Sequence, residues 1–175
     1  MEYIAAVWRA DYVRNSGKMK ECIFCRALKS NHDRDAYILH RGRFNFIILN
    51  KFPYSPGHLM IAPLQHLDSI EKADKTVSDE MSDFLKISLK ILRDSYKPHG
   101  FNTGMNLGQS AGAGVAGHYH LHIIPRWTGD SNFMPIIGKT RVTIEDLDTS
   151  FQRLAPLFQK IRKNQNIPGK QFKSS

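Results

Sequence analysis

Residues 118–122 read His-Tyr-His-Leu-His, and this pattern restricts the fold more than any other stretch of the chain. Side chains of an extended strand alternate between its two faces. His118, His120 and His122 therefore share one face, and Tyr119, Leu121 and Ile123 share the other. The second is an ordinary core face. The first is hard to explain as packing, because three imidazoles gain little from burial and repel one another when protonated. Imidazole is the commonest metal ligand and a nucleophile near neutral pH, so the row points to metal binding or to nucleophilic catalysis. The preceding loop, 108–117, holds glycines 108, 112, 114 and 117. Such loops let backbone N–H groups approach and cradle an anion. A glycine loop that feeds directly into a histidine row places a phosphate in the neighbourhood.

The rest of the chain supplies a body for this strand. Residues 44–50 are rich in β-branched and aromatic residues and read as a strand. Residues 51–57, with Pro53, Pro56 and Gly57, form a turn into a second strand at 58–63. Residues 77–96 have helical periodicity, with Val77, Met81, Phe84, Leu85, Ser88, Leu89 and Leu92 near one face. Thr76 or Ser78 is expected to cap that helix, and 98–100 to end it. Residues 101–107 read as a third strand and 118–125 as a fourth. A C-terminal helix is expected over 144–163, capped by Thr143 and kinked or restarted at Pro156. Residues 26–36 read as a polar loop. Residues 1–20 form an N-terminal extension with room for a short helix, and 164–175 are expected to be disordered. Strands and helices mix without a βαβ repeat, which predicts an α+β domain with a mainly antiparallel sheet, a central helix and a C-terminal helix.

At 175 residues the chain is one domain's worth, with its core over 20–155, its body ending at 158 and a basic tail at 159–175. Lys plus Arg is 25 against 16 Asp plus Glu, a net charge of +9. Five of those bases lie in the tail, which has no acid, so the body keeps an excess of only four. That favours anionic ligands weakly and does not indicate specific nucleic-acid binding. The longest apolar run, 3–8, is too short to span a bilayer and too soon interrupted for a secretory signal, so no membrane association and a cytoplasmic location are expected. The two cysteines form Cys22-Ile-Phe-Cys25, in a cytosolic chain either half of a metal site or a redox pair. His32, His40 and His99 read as surface residues.

The stretch His118-Tyr-His-Leu-His-Ile-Ile-Pro-Arg126 resembles the signature of the histidine-triad (HIT) nucleotide hydrolases and transferases. Pro56-Gly-His58-Leu-Met-Ile-Ala-Pro-Leu-Gln-His66 resembles that family's other block, and the helix between them falls in the expected place. The segments 106–114 and 125–133 look most like the bacterial diadenosine-tetraphosphate phosphorylase-like branch. The resemblance implies a HIT-like fold, usually homodimeric. It also implies cleavage at a nucleoside α-phosphate through a covalent nucleotidyl-histidine, with water or inorganic phosphate as acceptor. By motif position, His120 would be the nucleophile, His122 would contact the phosphate and His58 would stand beside them. Asn106 would lie near the α-phosphate or ribose. The backbone of Gly112, Ala113 and Gly114 would stand in for the family's Gly-Gln-Ser. Asn50 is a candidate ribose contact, and Phe44, Phe46, Ile47 and Leu49 are candidates for a nucleoside pocket wall. The same resemblance implies a structural zinc held by Cys22, Cys25, His66 and His118.

Two other functions compete with a dinucleoside polyphosphate phosphorylase or hydrolase. One is hydrolysis of adenylyl sulfate or nucleoside phosphoramidates, which present the same α-phosphate. The other is a nucleotide-binding signalling module with slow turnover. A zinc hydrolase using the triad itself as ligands would leave Cys22 and Cys25 without a role.

Overall fold

The computed structural model describes residues 21–130 and 145–164, with side chains to 161. The helix expected within 1–20, the Thr143 cap and the tail beyond 164 lie outside the described residues. Five short strands pair into one antiparallel sheet: β1 (Ile38–Arg41), β2 (Asn45–Leu49), β3 (Leu59–Pro63), β4 (Gly100–Met105) and β5 (Leu121–Arg126). Their order is β1-β2-β3-β5-β4, so β5 inserts between two strands made before it. Among the described residues four α-helices accompany them: α1 (Ile23–Leu28), α2 (Asp33–Ala36), α3 (Lys75–Tyr96) and α4 (Leu147–Asn164). The α+β architecture and antiparallel sheet are those expected. Among the described residues no helix is long and apolar enough to cross a membrane.

The two sheet faces are covered differently. Leu39, Ile47, Leu49, Leu59, Ile61, Tyr119, Leu121 and Ile123 point to one side, where Met81, Phe84 and Leu92 of α3 and Phe151, Leu154 and Phe158 of α4 pack on them. Fully burying such a side chain contributes about 1.5–3 kcal/mol. On the other side Phe46, Ile48, Met60 and Ala62 are covered by Phe24 of α1 and by Ala36 and Ile38. That cover is small. Register places His122 opposite Met60 on one side and Gly104 on the other, on this same thinly covered face.

Several boundaries differ from the sequence reading. The polar stretch 26–36 is not simply a loop, since it contains the second half of α1 and all of α2, and β1 follows it unannounced. α3 starts two residues early, at Lys75. Its start is set by the Asp74 carbonyl, which accepts from the Val77 and Ser78 amides at 3.0 and 3.3 Å, with no side-chain cap from Thr76 or Ser78. It ends at Lys97, in the left-handed region with φ 49°, directly before Pro98. α4 runs through Pro156 without a restart; the residue is on the exposed side, where a missing N–H costs least. β5 begins only at Leu121, so His118 and His120 precede the ladder rather than belong to it. There the Tyr119 amide donates to the Leu67 carbonyl at 2.7 Å and the His118 amide to Val115 at 3.3 Å. The alternation of faces still holds, because the segment enters β5 extended.

One side chain joins the helical layer to the β1–β2 turn. The Glu80 carboxylate of α3 accepts the backbone N–H groups of Arg43, Phe44 and Asn45 at 2.8, 2.9 and 2.7 Å, and the Asn45 amide at 2.9 Å. Asn45 is fully buried, and its Nδ2 also donates to the Val77 carbonyl at 2.9 Å. Gly42 completes the turn, since a Cβ there would collide with the Phe84 ring and the Glu80 carboxylate. Glu80→Ala strands these donors and is expected to lower unfolding free energy by about 2–3 kcal/mol. Asp79→Ala, which removes only an exposed pairing with Lys75, should leave the denaturation midpoint nearly unchanged. Urea titration of both variants checks the contrast.

Candidate active site and metal cluster

The hairpin between β2 and β3 builds one wall of the site. The Asn50 amide donates to the His58 carbonyl at 3.0 Å and closes the loop. The Phe52 amide donates to Asn50 Oδ1 at 3.0 Å, which orients the side chain so that Nδ2 meets the His58 ring, at 3.4 and 3.5 Å from its nitrogens. The Tyr54 amide donates to His58 Nδ1 at 3.1 Å. A ring nitrogen that accepts carries no proton, so His58 holds its hydrogen on Nε2. That group donates to His122 Nδ1 at 3.0 Å. His122, accepting at Nδ1, then carries its own hydrogen on Nε2. A backbone amide thus sets the tautomers of two successive histidines. The Tyr54 ring, 5.0 Å from His58 and 6.5 Å from His122, stands half-exposed at the edge of this wall.

His120 is set by a different bond. Its Nδ1–H donates to the His118 carbonyl at 3.0 Å. The lone pair is therefore on Nε2. Its ring lies 4.8 Å from that of His122, at 72°. Burial pushes the His120 pKa below the usual histidine value, partly opposed by the bond to His118, and the imidazole is neutral near pH 7. A neutral nitrogen lone pair beside an N–H donor is the pairing that attack on a phosphoester centre requires.

The remaining candidates divide. Asn106 is half-buried, one residue beyond Met105, which pairs with Leu121, so it lies level with His120. The Gly112 and Ala113 amides are engaged within the loop. Gly112, with φ 79°, donates to the Gln109 carbonyl at 2.9 Å, and Ala113 to Gly108 at 3.4 Å, inside the loop's own turns. Ile47 and Leu49 do not wall a pocket; period-2 alternation turns both into the core under α3 and α4. His40 is not a surface residue but is buried edge-on against Phe84, ring centroids 5.2 Å apart. His32 and His99 are exposed.

A second cluster adjoins the first. Cys22 Sγ lies 3.4 Å from His118 Nδ1, and Cys25 Sγ lies 3.7 Å from that atom and 3.3 Å from His66 Nδ1. One ligand atom from each of the four residues falls within 4.8 Å of the others, an arrangement that could hold a metal ion. The His118 Nε2–H donates to the Pro63 carbonyl at 2.9 Å, which leaves the Nδ1 lone pair facing the two cysteines. Burial pushes His118 down to about 4, so Nδ1 carries no proton near neutral pH. Both thiols are unoxidised.

Two residues at the site were not anticipated. Phe24, between the cysteines, packs on His118 and His120; its place inside Cys-x-x-Cys was the available signal. Tyr54 acts through its backbone amide, which has no signature in residue type.

Comparison with known proteins bears on this geometry. The chain is 40% identical over 110 residues to an AP-4-A phosphorylase of Mycobacterium tuberculosis, a match covering 63% of this chain and 56% of that protein's own length. Among solved structures, a hypothetical histidine triad nucleotide-binding protein from Sulfolobus tokodaii superposes with a TM-score of 0.61 at 27% identity, over 88% of this chain and 100% of that one. A zinc-bound histidine triad family protein from Mycobacterium smegmatis shares the fold, with a TM-score of 0.58 at 18% identity over 92% of this chain and 100% of that one. The HIT domain matches over residues 34–129, a span that takes in His58, the cluster residues His66 and His118, and the whole of β5, and on that match the chain belongs to the HIT domain family.

Proposed function

We propose that this chain is a nucleotidyl-transferring enzyme that cleaves phosphoanhydrides at a nucleoside α-phosphate, with a dinucleoside polyphosphate such as diadenosine tetraphosphate as substrate. The observation that carries the reading is the tautomer of His120. Its Nδ1–H is engaged by the His118 carbonyl at 3.0 Å, so Nε2 attacks the α-phosphorus with its lone pair. The N–P bond forms as the P–O bond to the leaving polyphosphate breaks, and an adenylyl-histidine results. His122, its Nδ1 held by His58, presents Nε2–H to the crowded phosphoryl oxygens. An oxygen of inorganic phosphate or water then attacks the intermediate, releases the nucleotide and restores His120. Phosphate yields ADP plus ATP from diadenosine tetraphosphate, whereas water yields AMP plus ATP. Binding requires the Gly112 and Ala113 amides to exchange their intraloop partners for phosphate oxygens. Asn50 and Asn106 flank the reacting centre as ribose or phosphate contacts. The similarity to the mycobacterial phosphorylase supports phosphate as the acceptor.

The second cluster suits zinc. Tetrahedral zinc at about 2.3 Å from sulfur and 2.0–2.1 Å from nitrogen puts adjacent S and N ligands about 3.5 Å apart, against 3.3, 3.4 and 3.7 Å here. Four protein ligands make a closed site, so the metal would fasten α1 to the sheet rather than take part in bond-making. Free thiols fit a cytoplasmic setting. A homodimer is part of the same reading, supported by family resemblance and by β4, an edge strand of the sheet.

His120→Asn should lower kcat by several orders of magnitude while AMP still binds, and His58→Ala or His122→Ala should impair turnover less severely. Acid-quenched protein given labelled substrate should carry the label on His120. Label on another residue, or near-normal turnover by His120→Asn, would defeat the mechanism. Product analysis with and without phosphate decides the acceptor.

Purified protein should hold about one zinc per chain, and Cys22→Ser should lower thermal stability more than it changes the chemistry of folded protein. Absence of zinc in protein never exposed to chelator counts against the assignment. Light scattering at micromolar concentration should give twice the chain mass of 20.0 kDa; a monomer mass refutes the dimer.

A further inference from the structure

Phe24 has no part in the mechanism above, yet it touches both clusters. Its ring centroid lies 5.1 Å from that of His118, 4.9 Å from that of His120 and 6.1 Å from that of Phe46. The residue is 1% exposed. It sits on α1, a six-residue helix whose N-cap is Cys22 and whose first turn contains Cys25. A helix that short is not stable by itself. Its position depends on what anchors it, namely the thiols at one edge and Phe24 in the apolar cluster below. Among the described residues the His120 ring makes one hydrogen bond, through Nδ1, and a ring held by one hydrogen bond can hinge about it. The Phe24 phenyl, tilted 48° against the imidazole, blocks that hinge.

We propose that Phe24 is a positioning residue through which the Cys22–Cys25–His66–His118 cluster holds the His120 ring in its attacking orientation. Occupancy of the cluster thereby governs the chemical step rather than nucleotide binding. The proposal rests on His120 being the nucleophile. It differs from a purely structural metal site in its consequence, because loosening α1 disturbs the direction of one lone pair before it disturbs the fold.

The test uses the full chain loaded with zinc, and compares wild type with Phe24→Leu, which keeps apolar volume but lacks the flat ring. Phe24→Leu is expected to retain its zinc and a KM for diadenosine tetraphosphate within about twofold of wild type. Its kcat should fall about tenfold to hundredfold, the scale of a small misplacement of reacting atoms. The imidazole ¹⁵N and ¹H resonances of His120 should shift in the variant. Removing zinc with a chelator should shift the same resonances in wild type and shift them less in Phe24→Leu. Unchanged kcat with unmoved His120 resonances would overturn the proposal. So would wild-type His120 resonances that ignore zinc removal, a measurement that decides the matter even if the variant does not fold. If wild type turns over no nucleotide, the enzymatic reading fails alone, since the resonances still report whether the cluster positions the ring.

Discussion

The hydrogen bond from His120 Nδ1–H to the His118 carbonyl, 3.0 Å long, makes everything else at this site meaningful. Imidazole has two equivalent-looking nitrogens, and only a partner at one of them decides which is left to react. Here the partner is the main chain two residues back, so the choice is built into the path of the backbone. That path is itself tied down. His118 is held by its Nε2–H bond to Pro63, and the following amide by its bond to Leu67. The residue that supplies the orienting carbonyl is also a member of the four-residue cluster. The four-residue cluster and the Nε2 lone pair of His120 therefore share one short segment of backbone.

The sheet divides labour between its faces. α3 and α4 take one face and make it an ordinary core. Among the described residues the other is covered where α1 and α2 reach, and beyond that cover it carries His122 beside Gly104. A thick second layer would bury the histidines beyond access. Without any second layer they would be hydrated, and His120 would lose the burial that keeps it neutral. The short α1 is an intermediate solution, with enough apolar surface to desolvate one ring and too little to close the site.

Much of this was legible in residue order. Alternation at 118–123 put the imidazoles on one face and Tyr119, Leu121 and Ile123 in the core, as observed. The periodicity of 77–96 identified the face of α3 that is buried. The four cluster residues, separated by up to 96 positions, do converge. The failures have physical causes. α1, α2 and β1 are short elements that exist through tertiary contacts, and a polar composition such as that of 26–36 conceals them. The start of α3 is set by a backbone carbonyl, so no capping side chain marks it in the sequence. The tautomer of His58 depends on the Tyr54 amide, a donor that every residue but proline possesses. His40 is buried by its place in β1, a strand of four residues too short to show its alternation in the sequence.

The strand order carries a consequence for how the molecule is made. β4 leaves the ribosome before β5, yet its neighbour in the sheet is β5, which also supplies the missing edge of β3. Until residues 121–126 are in place, β3 and β4 each hold a row of unpaired backbone groups, with the long helix α3 between them in sequence. Joining them is a non-local event, the kind that governs folding rate. The segment that closes the sheet is the one that brings in the histidine row. A chain stalled or truncated before it lacks the β3–β5 and β4–β5 pairings and the histidine row together, because one segment supplies both.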